Sequence, residues 1–165
     1  MKNKILRVVP IIIVLAWMGV IFYFSHQNGT SSSKMSNSIT KWIVNTFVPN
    51  YSNLTRTEQS SILKNTSYVI RKLAHYTEYA LLGLFLFVAV YAFTDNEKII
   101  FSVVSILGIL YAFSDELHQS FIGGRAPAIK DVLIDSIGLL TILVLIGIIL
   151  NIKRIRRIRK KKVEV

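Results

Sequence analysis

Cysteine is absent from this chain of 165 residues. Disulfides, thiolate nucleophiles and cysteine-ligated metal ions are therefore excluded. Acidic residues are also few, since nine Asp and Glu stand against twenty Lys and Arg, for a formal net charge of +11. Residues 153–165 hold eight of the basic residues and one Glu. Such a basic run directly after an apolar segment is typical of contact with anionic lipid, so we expect a lipid bilayer and no nucleic acid as the partner.

Apolar residues, by contrast, make up 52% of the chain, and the mean hydropathy is +0.49. The hydrocarbon core of a bilayer is about 30 Å thick, and a helix needs about 20 apolar residues to cross it. Four segments meet that requirement: residues 5–24, 73–93, 99–119 and 132–150. The sequence therefore predicts an all-α integral membrane bundle of four transmembrane helices. Residues 1–165 are expected to form one domain, of which 151–165 are a basic cytoplasmic tail.

The placement of basic residues predicts which way the bundle faces. Lys2, Lys4 and Arg7 precede the first span, and the basic tail follows the fourth. Because short cytoplasmic flanks are enriched in Lys and Arg, both termini are expected in the cytoplasm, as an even number of spans requires. The first span is too long for a cleaved signal peptide. We interpret it as the uncleaved anchor of a multi-pass protein of the cell membrane.

The polar loop between spans one and two, residues 25–72, contains two indications of helix. Ile39, Trp42, Ile43 and Phe47 fall near one helical face, which fits either an amphipathic helix on the membrane surface or a loosely packed loop. Thr55 and Glu58 have the spacing of a capping box, which opens a helix that could continue into the second span. The loop is therefore expected to be a helical extracytoplasmic segment.

Polar residues reach membrane depth at the end of the third span. The purely apolar part, residues 99–113, rises only about 22 Å, so the helix is expected to extend through residues 114–119. Further ionisable residues fall at the same expected depth, at the outer starts of spans two and four. The predicted cluster consists of Arg71, His75, Glu78, Tyr79, Asp115, Glu116, Gln119, Arg125, Asp131 and Asp135.

Charged groups at membrane depth usually face the bundle interior and pair with one another. We therefore expect Arg71 and Arg125 to offset some of the carboxylates. Gly138 follows Asp135 on one helical face and should let span four approach another helix closely. Three interpretations of the cluster stay open: an ionic lock between helices, a binding pocket for a polar or lipid-linked headgroup, and a catalytic site.

The catalytic interpretation has four candidate residues, which are His75, Glu78, Asp115 and Gln119. A histidine beside a carboxylate can act as a general acid and base near neutral pH. However, no Ser-His-Asp order, nucleophile elbow or phosphate loop specifies a reaction. His75-x-x-Glu78 and Asp115-x-x-His118 have helical ligand spacing, but they match none of the zinc-site motifs. The sequence therefore assigns no metal ion and no cofactor.

Four motifs occur in a fixed order along nearly the whole chain. They are Arg71-x-x-x-His75-x-x-Glu78-Tyr79, Tyr111-Ala112-x-x-Asp115-Glu116-x-x-Gln119, Gly124-Arg125 and Asp131-Val132-Leu133-x-x-x-x-Gly138. The opening segment, with Trp17 and Phe24-Ser25-x-Gln27, agrees with them. Together these motifs resemble the VanZ-like family. Asp135 departs from the pattern, because Asn is expected there more often, and the extra acid changes the expected charge balance.

The resemblance implies a bacterial multi-pass membrane protein of the cell envelope. The founding member of the family is associated with low-level resistance to the glycopeptide teicoplanin, so lower glycopeptide susceptibility is one expected role. The outward-facing polar site would then bind a headgroup, such as that of a lipid-linked envelope precursor or an anionic lipid. The alternatives are a membrane-embedded hydrolase or transferase acting on such a lipid, and a structural or partner-binding membrane protein.

Overall fold

The computed structural model describes residues 4–26, 29–122 and 128–163, and within those ranges helices connected by turns and short loops are the regular secondary structure. The elements are α1 (Lys4–Ser25), α2 (Gly29–Phe47), a short 3-10 helix (Tyr51–Asn53), α3 (Arg56–Tyr91), α4 (Glu97–Gln119) and α5 (Ile129–Val163). Four of them, α1, α3, α4 and α5, are long and apolar enough to cross a membrane. The all-α class and the four apolar spans are therefore confirmed, whereas the side on which the termini lie stays a prediction.

The starts of α3 and α4 are set by side-chain caps. The Thr55 backbone N–H donates to Glu58 Oε2 at 2.9 Å, and the Glu58 N–H donates to Thr55 Oγ1 at 3.4 Å, which completes the predicted capping box. From this cap α3 runs unbroken for 36 residues. Asn96 Oδ1 accepts from the N–H of Lys98 at 3.1 Å and so opens α4. Helix α4 then continues to Gln119, as expected from the short apolar part of its span.

Helix α2 and the end of α5 add detail to the predicted helices. Residues 39–47 belong to α2, so the helical alternative for this part of the loop is correct. Val44 is buried, while Trp42 and Phe47 are exposed. Helix α5 does not stop near residue 150 but continues as helix through Val163. Lys and Arg are good helix formers and are favourable near a helix C-terminus, which explains the extension.

Helix α3 is the centre of the bundle, because α1, α2, α4 and α5 all pack against it. The apolar core contains Ile21 of α1, Leu82 of α3, Val104 of α4 and Leu139 of α5, all of them fully buried. Many large apolar side chains remain exposed on the outside, particularly on α1 and α5. A helix that is apolar all round is typical of a membrane span.

Helices α3 and α5 approach each other closely at Gly138, as the sequence predicted. A Cβ atom on Gly138 would overlap the carbonyl oxygen of Tyr76 and lie 3.0 Å from its carbonyl carbon.

Helix α1 is held against α3 and α4 by hydrogen bonds from side chains to backbone carbonyl oxygens. The Trp17 indole N–H donates to the Glu78 carbonyl at 2.9 Å, and the Tyr111 hydroxyl donates to the Met18 carbonyl at 2.7 Å.

Substitution of Gly138 by Ala should destabilise the bundle. Its Cβ would meet backbone atoms of Tyr76, which cannot rotate away, so α5 must move off α3. Overpacking of this kind typically costs about 1–3 kcal/mol. The matched control is Gly19→Ala, because a Cβ there meets nothing within 4 Å. The amount of protein in the membrane and the thermal unfolding in detergent should fall for Gly138→Ala alone. Equal behaviour of the two variants would contradict the close packing.

Candidate functional site

Polar side chains are buried together at one end of the bundle. This end is formed by the last turn of α1, the middle of α3, the last two turns of α4 and the first two turns of α5. Five polar side chains there are at least 93% buried, a degree that is rare for acids. They are Ser25, Asp115, Glu116, Gln119 and Asp135. We call these residues, together with Lys72, His75, Glu78, Tyr79 and Asp131, the polar cluster.

Asp115 is held by two hydrogen bonds to the same carboxylate oxygen. The Ser25 hydroxyl donates to Asp115 Oδ2 at 2.8 Å, and the Gln119 side-chain amide donates to it at 2.9 Å. Gln119 also donates to Ser25 Oγ at 3.2 Å. The other oxygen, Asp115 Oδ1, is buried and has no hydrogen-bond partner among the described residues. The Ser25 and Gln119 side chains therefore fix the orientation of Asp115 and leave one of its oxygens available.

Glu116 connects the end of α4 to the beginning of α5. Its Oε1 accepts a hydrogen bond of 2.6 Å from the Ala128 backbone N–H, directly before α5. Its Oε2 is buried and, within the part of the chain that the structure describes, accepts no hydrogen bond. Asp135, on α5, likewise has a buried Oδ1 without a donor among these residues. The Asp that departs from the VanZ-like pattern therefore lies inside the cluster.

Within the polar cluster, Lys72 of α3 forms an ion pair with Asp131 of α5. Arg71 and Arg125 were expected in this role, and Lys72, which directly follows Arg71, was not predicted. Arg71 is half-buried on α3, and its pairing with the carboxylates stays a prediction. The prediction for Arg125, and the motif Gly124-Arg125, lie outside the described residues.

His75, Glu78 and Tyr79 project from the middle of α3. His75 Nδ1 lies 3.7 Å from Glu78 Oε2, which is within ion-pair distance if the imidazole is protonated. Tyr79 is fully buried, and its hydroxyl has no hydrogen-bond partner among the described residues. An imidazole nitrogen of His75 and one carboxylate oxygen each of Asp115 and Asp135 all lie within 4.8 Å of one another. These three residues could hold a metal ion.

Two features beside the cluster were not predicted. The rings of His26 and His118 stack with centroids 5.5 Å apart, which brings the end of α1 over α4. Separately, an apolar groove of about 480 Å³ lies between the end of α4 and the start of α5. Its lining comprises Phe113, Glu116, Leu117, Ser120, Ala128, Ile129 and Val132. The groove places a carboxylate of the polar cluster beside an apolar channel, an arrangement that no helical spacing indicates.

A family model described as VanZ/LLP1 matches residues 10–150. The matched range is most of the chain and contains every residue of the polar cluster. No curated protein and no solved structure matches the chain.

The ion pair of Lys72 with Asp131 should contribute measurably to stability. Both side chains are about three-quarters buried, so solvent screens their attraction only in part. Either Lys72→Met or Asp131→Asn should lower the free energy of unfolding in detergent by about 1–3 kcal/mol. The double variant should lose less than the sum of the two single losses. Each single variant leaves one charge without its partner, whereas the double variant removes both charges. Strictly additive losses would show that the pair does not couple α3 to α5.

Proposed function

Because the chain belongs to the VanZ/LLP1 family, we propose that it is a cell-envelope membrane protein whose polar cluster binds the headgroup of an envelope lipid. The observation that carries the proposal is the set of buried carboxylates at one level of an apolar bundle. Ionisable groups inside a membrane bundle are costly and usually serve function. The headgroup belongs to a lipid-linked precursor or to an anionic lipid, and its binding lowers susceptibility to glycopeptides such as teicoplanin.

The unpartnered oxygens favour a binding site over a simple ionic lock. A lock between helices needs each buried polar atom to find a partner within the protein. Here Asp115 Oδ1, Glu116 Oε2 and Asp135 Oδ1 are buried without hydrogen-bond partners among the described residues. Headgroups rich in hydroxyl or amide groups can donate hydrogen bonds to such oxygens. The cluster therefore has more acceptor capacity than the packing of its helices uses.

The groove beside Glu116 supports a lipid as the ligand. Its walls are almost entirely apolar, with Leu117 and Ile129 among the lining residues, and one end reaches the polar cluster. A ligand with a polar headgroup and a hydrocarbon chain fits both surfaces together. A soluble polar ligand would leave the apolar walls without an occupant. We therefore favour a lipid-linked headgroup over a free one.

The distribution of charge supports an outward-facing cluster. At the end of the bundle opposite the cluster, Arg154 donates to Glu97 at 2.8 Å, and the Arg7 guanidinium lies 5.6 Å from the centre of the Phe93 ring. The basic start of α1 and the basic part of α5 thus share one end. The positive-inside rule assigns that end to the cytoplasm, so the polar cluster faces the cell envelope, where glycopeptides and their targets are found.

A second candidate function is a membrane-embedded hydrolase or transferase acting on the same lipid. The observation that favours it is the position of His75 beside Glu78 and within 4.8 Å of the ligand oxygens of Asp115 and Asp135. A histidine and carboxylates in this proximity can move a proton. This function predicts turnover, so lipid extracts of cells with and without the protein should differ in composition. An altered composition that survives His75→Ala would contradict it.

Glu78→Gln and Asp115→Asn should abolish the function while leaving the protein in the membrane. Each change keeps the size of the side chain and removes a charge from the polar cluster. The variants are expressed in a strain lacking the native copy, and membrane level and teicoplanin susceptibility are measured separately. We expect normal levels and the susceptibility of the empty-vector strain. Glu97→Gln is the matched control, because this carboxylate lies at the other end of the bundle.

The same variants distinguish a functional site from a purely structural role of the carboxylates. If membrane levels fall for the cluster variants and not for Glu97→Gln, the carboxylates hold helices together. If levels and susceptibility both stay unchanged, and the purified protein shows no saturable binding to envelope lipids in detergent micelles, the proposed function is wrong. Saturable binding that is lost in Asp115→Asn supports it directly.

A further inference from the structure

Three helices bring a set of metal-ligand atoms together inside the polar cluster. His75 comes from α3, Asp115 from α4 and Asp135 from α5, and each supplies one ligand atom. The three atoms lie within 4.8 Å of one another. The residues are 40 and 20 positions apart in the chain, so no sequence motif for a metal site contains them. Only the packing of the helices creates the set.

The two aspartates carry a second indication of a ligand. Asp115 is 3% exposed and Asp135 is 2% exposed. Oδ1 of each is buried and lacks a hydrogen-bond partner among the residues that the structure describes. Ser25 and Gln119 both donate to the other oxygen of Asp115, which orients the carboxylate as outer-shell partners orient metal ligands in known sites.

The charge of these groups also calls for compensation. A buried ionised carboxylate is paired or coordinates a metal ion in nearly all proteins. The donors that hold Asp115, a hydroxyl and an amide, are neutral and do not cancel its charge. Lys72 is engaged with Asp131 at the edge of the cluster. A dication between Asp115 and Asp135 would stabilise the carboxylate form of both side chains at once.

We propose that His75, Asp115 and Asp135 together bind one divalent transition-metal ion, and that Zn²⁺ fits this donor set. Imidazole and carboxylates are common zinc ligands, whereas Mg²⁺ and Ca²⁺ prefer oxygen ligands throughout. Three protein ligands leave a position open, as in zinc sites that bind a substrate or water. Zinc bonds of about 2.0–2.2 Å place tetrahedral ligand atoms about 3.3–3.6 Å apart. The present separations lie within 4.8 Å, so side-chain rotations that shorten them by at most about 1.5 Å would complete the site.

The ion gives an acidic cluster affinity for an anion. With the ion bound, Asp115 and Asp135 serve as its ligands, and an open position on Zn²⁺ would accept a phosphate oxygen of the headgroup, while the cluster's other acceptors, such as Glu116 Oε2, remain for headgroup donors. This consequence rests on the proposed function, because it identifies the headgroup as a phosphate-bearing one. The metal site itself does not rest on it, and the experiment therefore uses the metal ion without lipid.

Zinc binding is measured by isothermal titration of the full-length protein, purified in detergent and treated with a chelator. ZnCl₂ alone is the probe. We expect saturable binding of about one ion per chain and a rise in the thermal unfolding temperature. Asp115→Asn, Asp135→Asn and His75→Ala should each weaken binding at least about tenfold, and Ser25→Ala, which acts through Asp115, by roughly ten- to a hundredfold. Glu97→Gln is the control and should bind as the unaltered protein does.

Folding of each variant is checked by its helical circular dichroism and its elution volume. If a variant does not fold, Co²⁺ is bound to the unaltered protein instead. A site of one imidazole and two carboxylates should give Co²⁺ a visible absorption spectrum, and added Zn²⁺ should displace the Co²⁺ and abolish that spectrum. The proposal is overturned if the unaltered protein shows no saturable zinc binding, or if Asp115→Asn and Asp135→Asn bind zinc as tightly as Glu97→Gln. Zinc binding without any lipid binding would retain the metal site and reject the headgroup proposal.

Discussion

Asp115 is the residue on which the arrangement of the polar cluster depends. Its Oδ2 accepts hydrogen bonds from Ser25 at 2.8 Å and Gln119 at 2.9 Å, so the last residue of α1 is tied to the last two turns of α4. In an interior of low dielectric constant, such bonds are stronger than in water, and an unmade one is correspondingly costly. The apolar bundle offers these groups no water as a substitute. The ends of α1 and α4 therefore have to meet where Asp115 is buried.

The close approach of α5 to α3 completes the site. Gly138 lies against the backbone of Tyr76. Tyr76 directly follows His75 in α3, and Gly138 comes about one helical turn after Asp135 in α5. A larger residue would separate the helices and move Asp135 away from His75. Trp17 binds the Glu78 carbonyl from the other side of α3. A tightly packed core is thus what holds three ligand atoms, from helices far apart in the chain, within 4.8 Å.

Most of the fold followed from local patterns. The apolar runs located the four spans, Thr55 and Glu58 located the start of α3, and the short apolar part of the third span required α4 to extend to Gln119. The basic tail was the exception. Its charges were interpreted as a cytoplasmic tail, but they also favour helix, so α5 continues through Val163. Family membership was recognisable because its motifs keep their order along the chain.

By itself, the sequence determined that this is a bundle of apolar helices and that ionisable residues lie at one level of it. Helical periodicity and the cost of charge in lipid are local constraints, so they can be deduced from spacing alone. The tertiary structure decided which groups meet. It paired Asp131 with Lys72, brought Ser25 into hydrogen-bond distance of Asp115, and brought Asp135 close to His75. These choices depend on the rotation and separation of helices, which packing between distant residues sets.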